Sequence, residues 1–217
     1  MAVNSLQEYW NNRYSIEGMI WGEHPCLAAK RSVNIFMKSN SKELLVPGCG
    51  YGRNSLYLAL QGFRVFGVDI SDEAIMIADK IAAPRRLSLQ YKCQDVLKEK
   101  IDNKFDGILS INMLHLYDKS DADIISEIYC SLLNENGVLV LTSMSVNDPD
   151  YGKGKKVANN IYESKKGRPI HYFTQTSMQE LIERYFTVIT IGEIKEYENH
   201  GGKEHYHNML YVEAKKK

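Results

Sequence analysis

No apolar run in this chain approaches the roughly 18 residues that a membrane helix requires, so no membrane partner is expected. The opening residues, MAVNSLQEYWNNRY, are polar and aromatic. They lack the charged start and apolar core of a signal peptide. Charge of one sign is missing too: 27 Lys and Arg balance 27 Asp and Glu over 217 residues. That balance leaves no global basic field for nucleic acid and no acidic tail. Cysteine is sparse and scattered. Cys26, Cys49, Cys93 and Cys130 form neither a C-x-x-C pair nor a disulfide framework. They read as reduced, mostly buried thiols of a cytoplasmic protein. With 44% apolar and 25% charged residues, the composition is that of a soluble globular protein. The length suits one domain with a sizeable core and a small cap.

What is present is an alternation of short apolar strands with amphipathic helices. The first 40 residues read as helical, broken by GMIWGEHP. Leu44–Val46 is a buried strand, and RNSLYLALQG is a helix that stops at Gly62. FRVFGVDI is the second strand, after which Ser71 caps DEAIMIADKIAA. LSLQYKCQD and FDGILSI are the third and fourth strands. Ser120 is expected to cap DADIISEIYCSLL, with Ile124, Ile125, Ile128 and Leu132 on one apolar face. GVLVLTSMS is a fifth strand. A polar, turn-rich stretch follows, and then a short helix from Thr176 with Gln179 closing a capping box. Two strands joined by NHGGKE, whose Gly201-Gly202 pair suits a hairpin turn, complete the pattern. The expected fold is α/β and Rossmann-like: a seven-stranded, mostly parallel sheet with helices on both faces and a C-terminal antiparallel hairpin. We read residues 1–217 as one domain: a cap (1–40), a cofactor-binding core (41–145), a substrate lid (146–175) and a closing helix with hairpin (176–217).

Gly48, Gly50 and Gly52 follow the first strand directly. Glycine there permits a tight turn and lets backbone touch a ligand. A dinucleotide fingerprint needs a third glycine where Arg53 stands, and a phosphate loop needs a lysine that GCGYGRNS lacks. Asp69 ends the second strand, 19 residues after Gly50, where a carboxylate accepts both hydroxyls of a ribose. A ribose acceptor without a phosphate cradle fits a nucleoside that carries an amino acid, which describes S-adenosylmethionine.

At this point the sequence resembles the class I S-adenosylmethionine-dependent methyltransferases over roughly residues 40 to 145, and the terminal hairpin extends the likeness. GRNSLYLA with FDGILSINMLHLY is similar to the tellurite-resistance methyltransferases, and VPGCG to the thiol and thiopurine enzymes. YWNNRY…IWGEHP is similar to their aromatic N-terminal segment. The resemblance implies that Gly48, Cys49, Gly50 and Gly52 lie against the methionine portion of the cofactor. It places Asn54 and Ser55 at the helix start beside it. Asp69 then takes the ribose, Ile70 and Val96 cover the adenine, and Asp95 accepts from the adenine amine. Ser110 to Met113 line the cofactor and the reaction centre, and Tyr14 and Trp21, with Trp10, form a flap. Where most of the class carries an acidic residue, this chain has Val46. That departure implies main-chain carbonyls for the methionine amino group.

Methyl transfer from a sulfonium needs alignment and exclusion of water more than an acid. A base is needed only for a protonated, weak nucleophile. His115 and His171 are the candidate bases. Tyr151–Pro169 carries six Lys/Arg against one Glu, which suits a lid that attracts an anionic substrate. His200, His205 and His207 cluster at the hairpin, His205 and His207 on one strand face. They read as cleft or strand-edge histidines, and no metal is assigned. The expected activity is methylation of a small molecule, a thiol or a tellurium or selenium compound, by a monomer or homodimer. An RNA or protein methyltransferase and a non-catalytic S-adenosylmethionine sensor remain the alternatives.

Overall fold

The computed structural model describes residues 3–200 and 203–217, with the side chains of 6–197 and 205–217. The expected Gly201-Gly202 turn and the His200 side chain lie outside the described residues. Helices α1 (Val3–Glu17) and α2 (Leu27–Lys38) precede β1 (Glu43–Pro47). Then α3 (Arg53–Leu60), β2 (Arg64–Asp69), α4 (Asp72–Ala82), β3 (Leu89–Cys93) and β4 (Phe105–Ile111) alternate. Helix α5 (Lys119–Leu132) leads directly into β5 (Leu133–Met144). Strands β6 (Lys155–Ala158), β7 (Ile161–Lys165) and β8 (Arg168–His171) are followed by α6 (Gln175–Ile182), β9 (Phe186–His200) and β10 (Lys203–Lys216).

The seven-stranded sheet has the order β3-β2-β1-β4-β5-β10-β9. Pairing is parallel from β3 to β5 and antiparallel on both sides of β10. Strand order reverses between β1 and β4, which opens a crevice at their carboxyl ends. Side-chain alternation along β1 divides the core. Leu44 and Val46 pack with Ala29, Val33 and Phe36 of α2 and Leu58 of α3. Leu45 packs on the other face with Ile125 and Tyr129 of α5 and Ile182 of α6. Each fully buried Leu or Ile of this kind contributes about 1.5–3 kcal/mol. Among the described residues, no helix is long and apolar enough to cross a membrane.

Several local expectations need correction. Asp118, not Ser120, caps α5: its extended backbone lets its carboxylate accept from Asp121 N at 3.0 Å. The buried face of α5 is Ala122, Ile125, Tyr129 and Leu132, and Ile124 is 44% exposed. Helix α6 starts earlier than expected, with a capping box between Thr174 and Ser177, while Gln179 bonds Glu183 one turn on. The polar stretch after β5 is not a loop but a three-stranded antiparallel sheet, β6-β7-β8. All four cysteines are free, Cys26 and Cys49 buried and Cys93 exposed.

Candidate active site

The turn after β1 is built by backbone geometry. Gly50 has φ +55, and its N–H donates to Asp69 Oδ2 at 2.8 Å, tying the loop to the end of β2. Asp69 Oδ1 accepts from Ser71 N at 2.9 Å. Burial raises the Asp69 carboxyl above its ordinary value, against the opposing pull of the Ser71 and Gly50 N–H groups. Gly52, with φ +81, caps α3, and a Cβ there would meet the Tyr91 hydroxyl at 2.1 Å. Its bare α-carbon therefore serves helix–strand packing.

A cleft opens at the switch point. Gly48, Cys49, Gly50, Asp69, Ile70 and Val96 line one half. Met113 and His115 stand at the end of β4, and Tyr14, Trp21 and Asn54 come from the cap and α3. Burial pushes the Cys49 thiol well above its usual range, so it is neutral in the wall. Gly52, Ser55, Asp95, Ser110 and His171 do not line the cleft. Asp95 nevertheless sits between two lining residues, Gln94 and Val96. Its Oδ1 accepts from Leu97 N at 3.0 Å. Its Oδ2 is buried without a hydrogen-bond partner, with the Lys98 ammonium at 3.9 Å. Ser110 faces α5 and bonds the Tyr129 hydroxyl at 3.1 Å, as the period of two along β4 dictates. His171 is turned away for the same reason: Arg168 and Ile170 of β8 face the cleft, and His171 lies against Phe173 with ring centroids 4.0 Å apart.

The cap is latched to the loop. The Tyr51 hydroxyl accepts from Trp21 N at 3.0 Å and donates to Gly22 O at 2.7 Å. Arg53 Nη1 donates to Trp21 O at 2.6 Å, and Asn54 accepts from Cys26 N at 3.0 Å. Asn54 thus holds the start of α2. Trp10, Tyr14, Trp21 and Tyr51 form one aromatic cluster over the turn, with Trp21 stacked on Tyr51.

His115 is 7% exposed, and its Nδ1 is buried without a partner. Burial first, then the neighbouring Arg168, His207 and His171 charges, pull it down to about 3, so it is neutral at physiological pH. His205 and His207 share a strand face, with rings 5.1 Å apart, and His207 lines the cleft. Asp148, Asp150 and His207 bring ligand-type atoms within 4.8 Å of one another. Asp148 accepts from Asp150 N, His207 Nδ1 and Asn208 N.

The sequence reading did not single out Tyr51, Asp150, Arg168 and Tyr172, all of which line the cleft, as does Asn112 within the expected stretch Ser110 to Met113. Asn112 has φ +53 and is held there by Thr142 through its side chain at 3.0 Å and its N–H at 3.1 Å. Left-handed backbone at a non-glycine residue on a cleft wall is a recognisable mark of a functional site.

Comparison with known proteins agrees with this geometry. Residues 45–137 match a methyltransferase domain family. A methyltransferase-named protein of Geobacillus sp. (strain WCH70) is 24% identical over 177 residues, covering 79% of this chain and 69% of that protein. TehB of Haemophilus influenzae (strain 10810), named as an S-adenosyl-L-methionine-dependent methyltransferase, is 28% identical over 102 residues, covering 46% of this chain and 36% of its own. The 1,6-didemethyltoxoflavin-N1-methyltransferase of Burkholderia thailandensis, solved with 1,6-didemethyltoxoflavin and S-adenosylhomocysteine bound, has a TM-score of 0.76 at 19% identity. The superposition covers 99% of this chain and 88% of that one. A glycine turn and a buried aspartate meet at the switch point of this sheet, and residues 45–137, which contain both, carry a methyltransferase domain similar to that of S-adenosylmethionine-dependent enzymes.

Proposed function

We propose that this methyltransferase acts on a small soft nucleophile, a thiol or a tellurium or selenium compound. The observation that carries the reading is His115: the one histidine of the two candidate bases that lines the cleft is held neutral by burial, beside apolar Met113. A strong base is not provided there, and a soft nucleophile does not need one. S-adenosylmethionine, when bound, supplies an electrophilic sulfonium methyl whose departure leaves a neutral thioether.

The residues present suit that cofactor. Asp69 takes the ribose hydroxyls with the acceptor capacity that Gly50 and Ser71 leave free. Asp95, between the lining residues Gln94 and Val96, would turn its Oδ2, which accepts no hydrogen bond, to the adenine amine, and Ile70 and Val96 cover the ring faces. The backbone of Gly48 to Gly50 meets the methionine portion, and its carbonyls replace the acid that Val46 does not offer. Tyr14 and Trp21 exclude water from above. Met113 and Asn112 orient the reacting end, while His115 offers a neutral hydrogen-bonding group. Gly52, Ser55 and Ser110 support this arrangement through packing, and His171 has no direct part.

Calorimetry with S-adenosylhomocysteine, followed by transfer of labelled methyl to thiols, selenite and tellurite, tests the proposal. Micromolar-range heat and labelled product are expected. Absence of any binding heat would overturn the cofactor assignment, and binding with label transferred only to RNA or protein would overturn the acceptor class.

A further inference from the structure

Beyond Met113 and His115 the cleft has a second half, walled by Arg168 and Ile170 of β8, by Tyr172 and by His207. Arg168 is unusual there. Its Nε is buried without a hydrogen-bond partner, and among the described residues it pairs with no carboxylate. Its guanidinium stands over the Tyr9 ring, 5.9 Å from the centroid. Asp150 lines the same half, but its carboxylate is held by Lys153 at 2.7 Å. Arg13 lies close enough to add to the positive field. The partnerless Nδ1 of His115 is buried on the turn that packs against β8, and Arg168 and His207 both act on it electrostatically. A half-buried guanidinium without a partner destabilises a fold unless something else satisfies it. Arg168 lines the same cleft as Met113 and His115, the residues at the end of β4.

We propose that the methyl acceptor is an anion: a small thiol or chalcogen compound that also bears a carboxylate or equivalent oxyanion, paired with Arg168. The proposal rests on the methyltransferase reading and adds the charge of its substrate. A planar guanidinium matches two oxygens of such a group in a forked pair. Arg168 takes no part in bond making. The nucleophile, entering as its thiolate or chalcogenide, uses its own lone pair to form the bond to the methyl carbon. The broken carbon–sulfur pair stays on the donor sulfur, so no proton has to move.

The test uses matched acceptors, 4-mercaptobenzoate against 4-mercaptobenzamide and 3-mercaptopropionate against its methyl ester, on the wild type, Arg168→Gln and Arg168→Lys. The acid of at least one pair is expected to exceed its neutral partner in kcat/KM by about 10- to 100-fold. Arg168→Gln abolishes that preference and Arg168→Lys restores part of it. S-adenosylhomocysteine binding heat is unchanged in both variants, which separates this proposal from the cofactor assignment. Without any ligand, Arg168→Gln loses the contact with the Tyr9 ring and no ion pair, so only a small change in melting temperature is expected. Equal turnover of acid and neutral partners, or no turnover of either by enzyme that binds S-adenosylhomocysteine, would each overturn it.

Discussion

Replacing Asp69 by asparagine removes one acceptor oxygen and one charge from the centre of the cofactor half while keeping the side chain's shape. In the wild type the two carboxylate oxygens receive Gly50 N at 2.8 Å and Ser71 N at 2.9 Å. Each oxygen has two lone pairs, so about one acceptor position per oxygen remains for ribose hydroxyls. Asparagine has a single carbonyl oxygen, and its NH2 must face one of the two backbone N–H groups. One buried donor then loses its partner, which costs about 1–3 kcal/mol of stability. Hydrogen bonds to a charged acceptor contribute about 1.5–3 kcal/mol, so S-adenosylhomocysteine should bind roughly 10- to 100-fold more weakly. Titration calorimetry reads the affinity and thermal unfolding reads the stability. The pH dependence is a second check with opposite signs. Because burial raises the Asp69 carboxyl above 3.8, the wild type's affinity falls as pH drops through that raised value. The same protonation relieves a buried charge, so the group's own contribution to stability is present at low pH and lost as pH rises through its folded pKa. Asp69→Asn should flatten both limbs. An asparagine variant that binds S-adenosylhomocysteine within about twofold of the wild type would refute the reasoning, because Asp69 is the carboxylate that lines that wall.

Three other perturbations follow from the same geometry. Gly52→Ala places a Cβ 2.1 Å from the Tyr91 hydroxyl at φ +81. The backbone conformation alone costs about 1–2 kcal/mol, and adding Tyr91→Ala should make the double variant more stable than additivity predicts; additive melting shifts would contradict the steric account. Tyr51→Phe removes the hydroxyl that bonds Trp21 N and Gly22 O. Each bond contributes about 1 kcal/mol, so S-adenosylhomocysteine affinity should fall about fivefold as the latch loosens. The chain's two tryptophans, Trp10 and Trp21, both lie in the cap cluster, so a red-shifted emission should accompany the change; unaltered emission counts against the latch. For His115 the folded pKa of about 3 lies below the ordinary 6.5. Stability from the neutral ring is fully present above 6.5 and falls as pH drops toward 3, by up to about 1.4 kcal/mol per pH unit. His115→Asn should therefore unfold at lower pH than the wild type, and an unshifted acid midpoint would argue that the histidine is not buried neutral.

The parts of the fold that were readable in sequence are those where one residue type has few alternatives. The glycines at 48, 50 and 52, the aspartate at 69 and the alternating apolar strands leave little room for another plan. Caps were less readable because competing formers stand side by side: Asp118 and Ser120 lie two residues apart, and only backbone geometry chooses between them. Strands β6 and β7 escaped notice because they bury little: every β6 residue is exposed, so no hydrophobic period marks it. Arg168 stood undistinguished within a basic run that read as a lid attracting an anionic substrate. Only the alternation of β8 separates it and Ile170 from His171. Asp95 was singled out by its place after β3, but its position behind the cleft lining, with a buried Oδ2 that accepts no hydrogen bond, is a matter of tertiary placement that spacing does not encode.

The sheet order bears on how the protein is made. Strand β9 emerges from the ribosome before β10, yet β10 lies between it and β5. β9 therefore has no edge to dock on until β10 exists. During synthesis the nascent parallel half ends at β5 with an open, apolar edge, Val138 to Leu141, awaiting a partner more than 60 residues downstream. Strand β10 supplies both the partner for that edge and the edge on which β9 docks, and this long-range step is expected to come late and slowly. Until then the edge is a template for a neighbouring chain's strand. Slower elongation through the β5–β9 interval should raise aggregation of the nascent protein, whereas fast delivery of β10 should protect it.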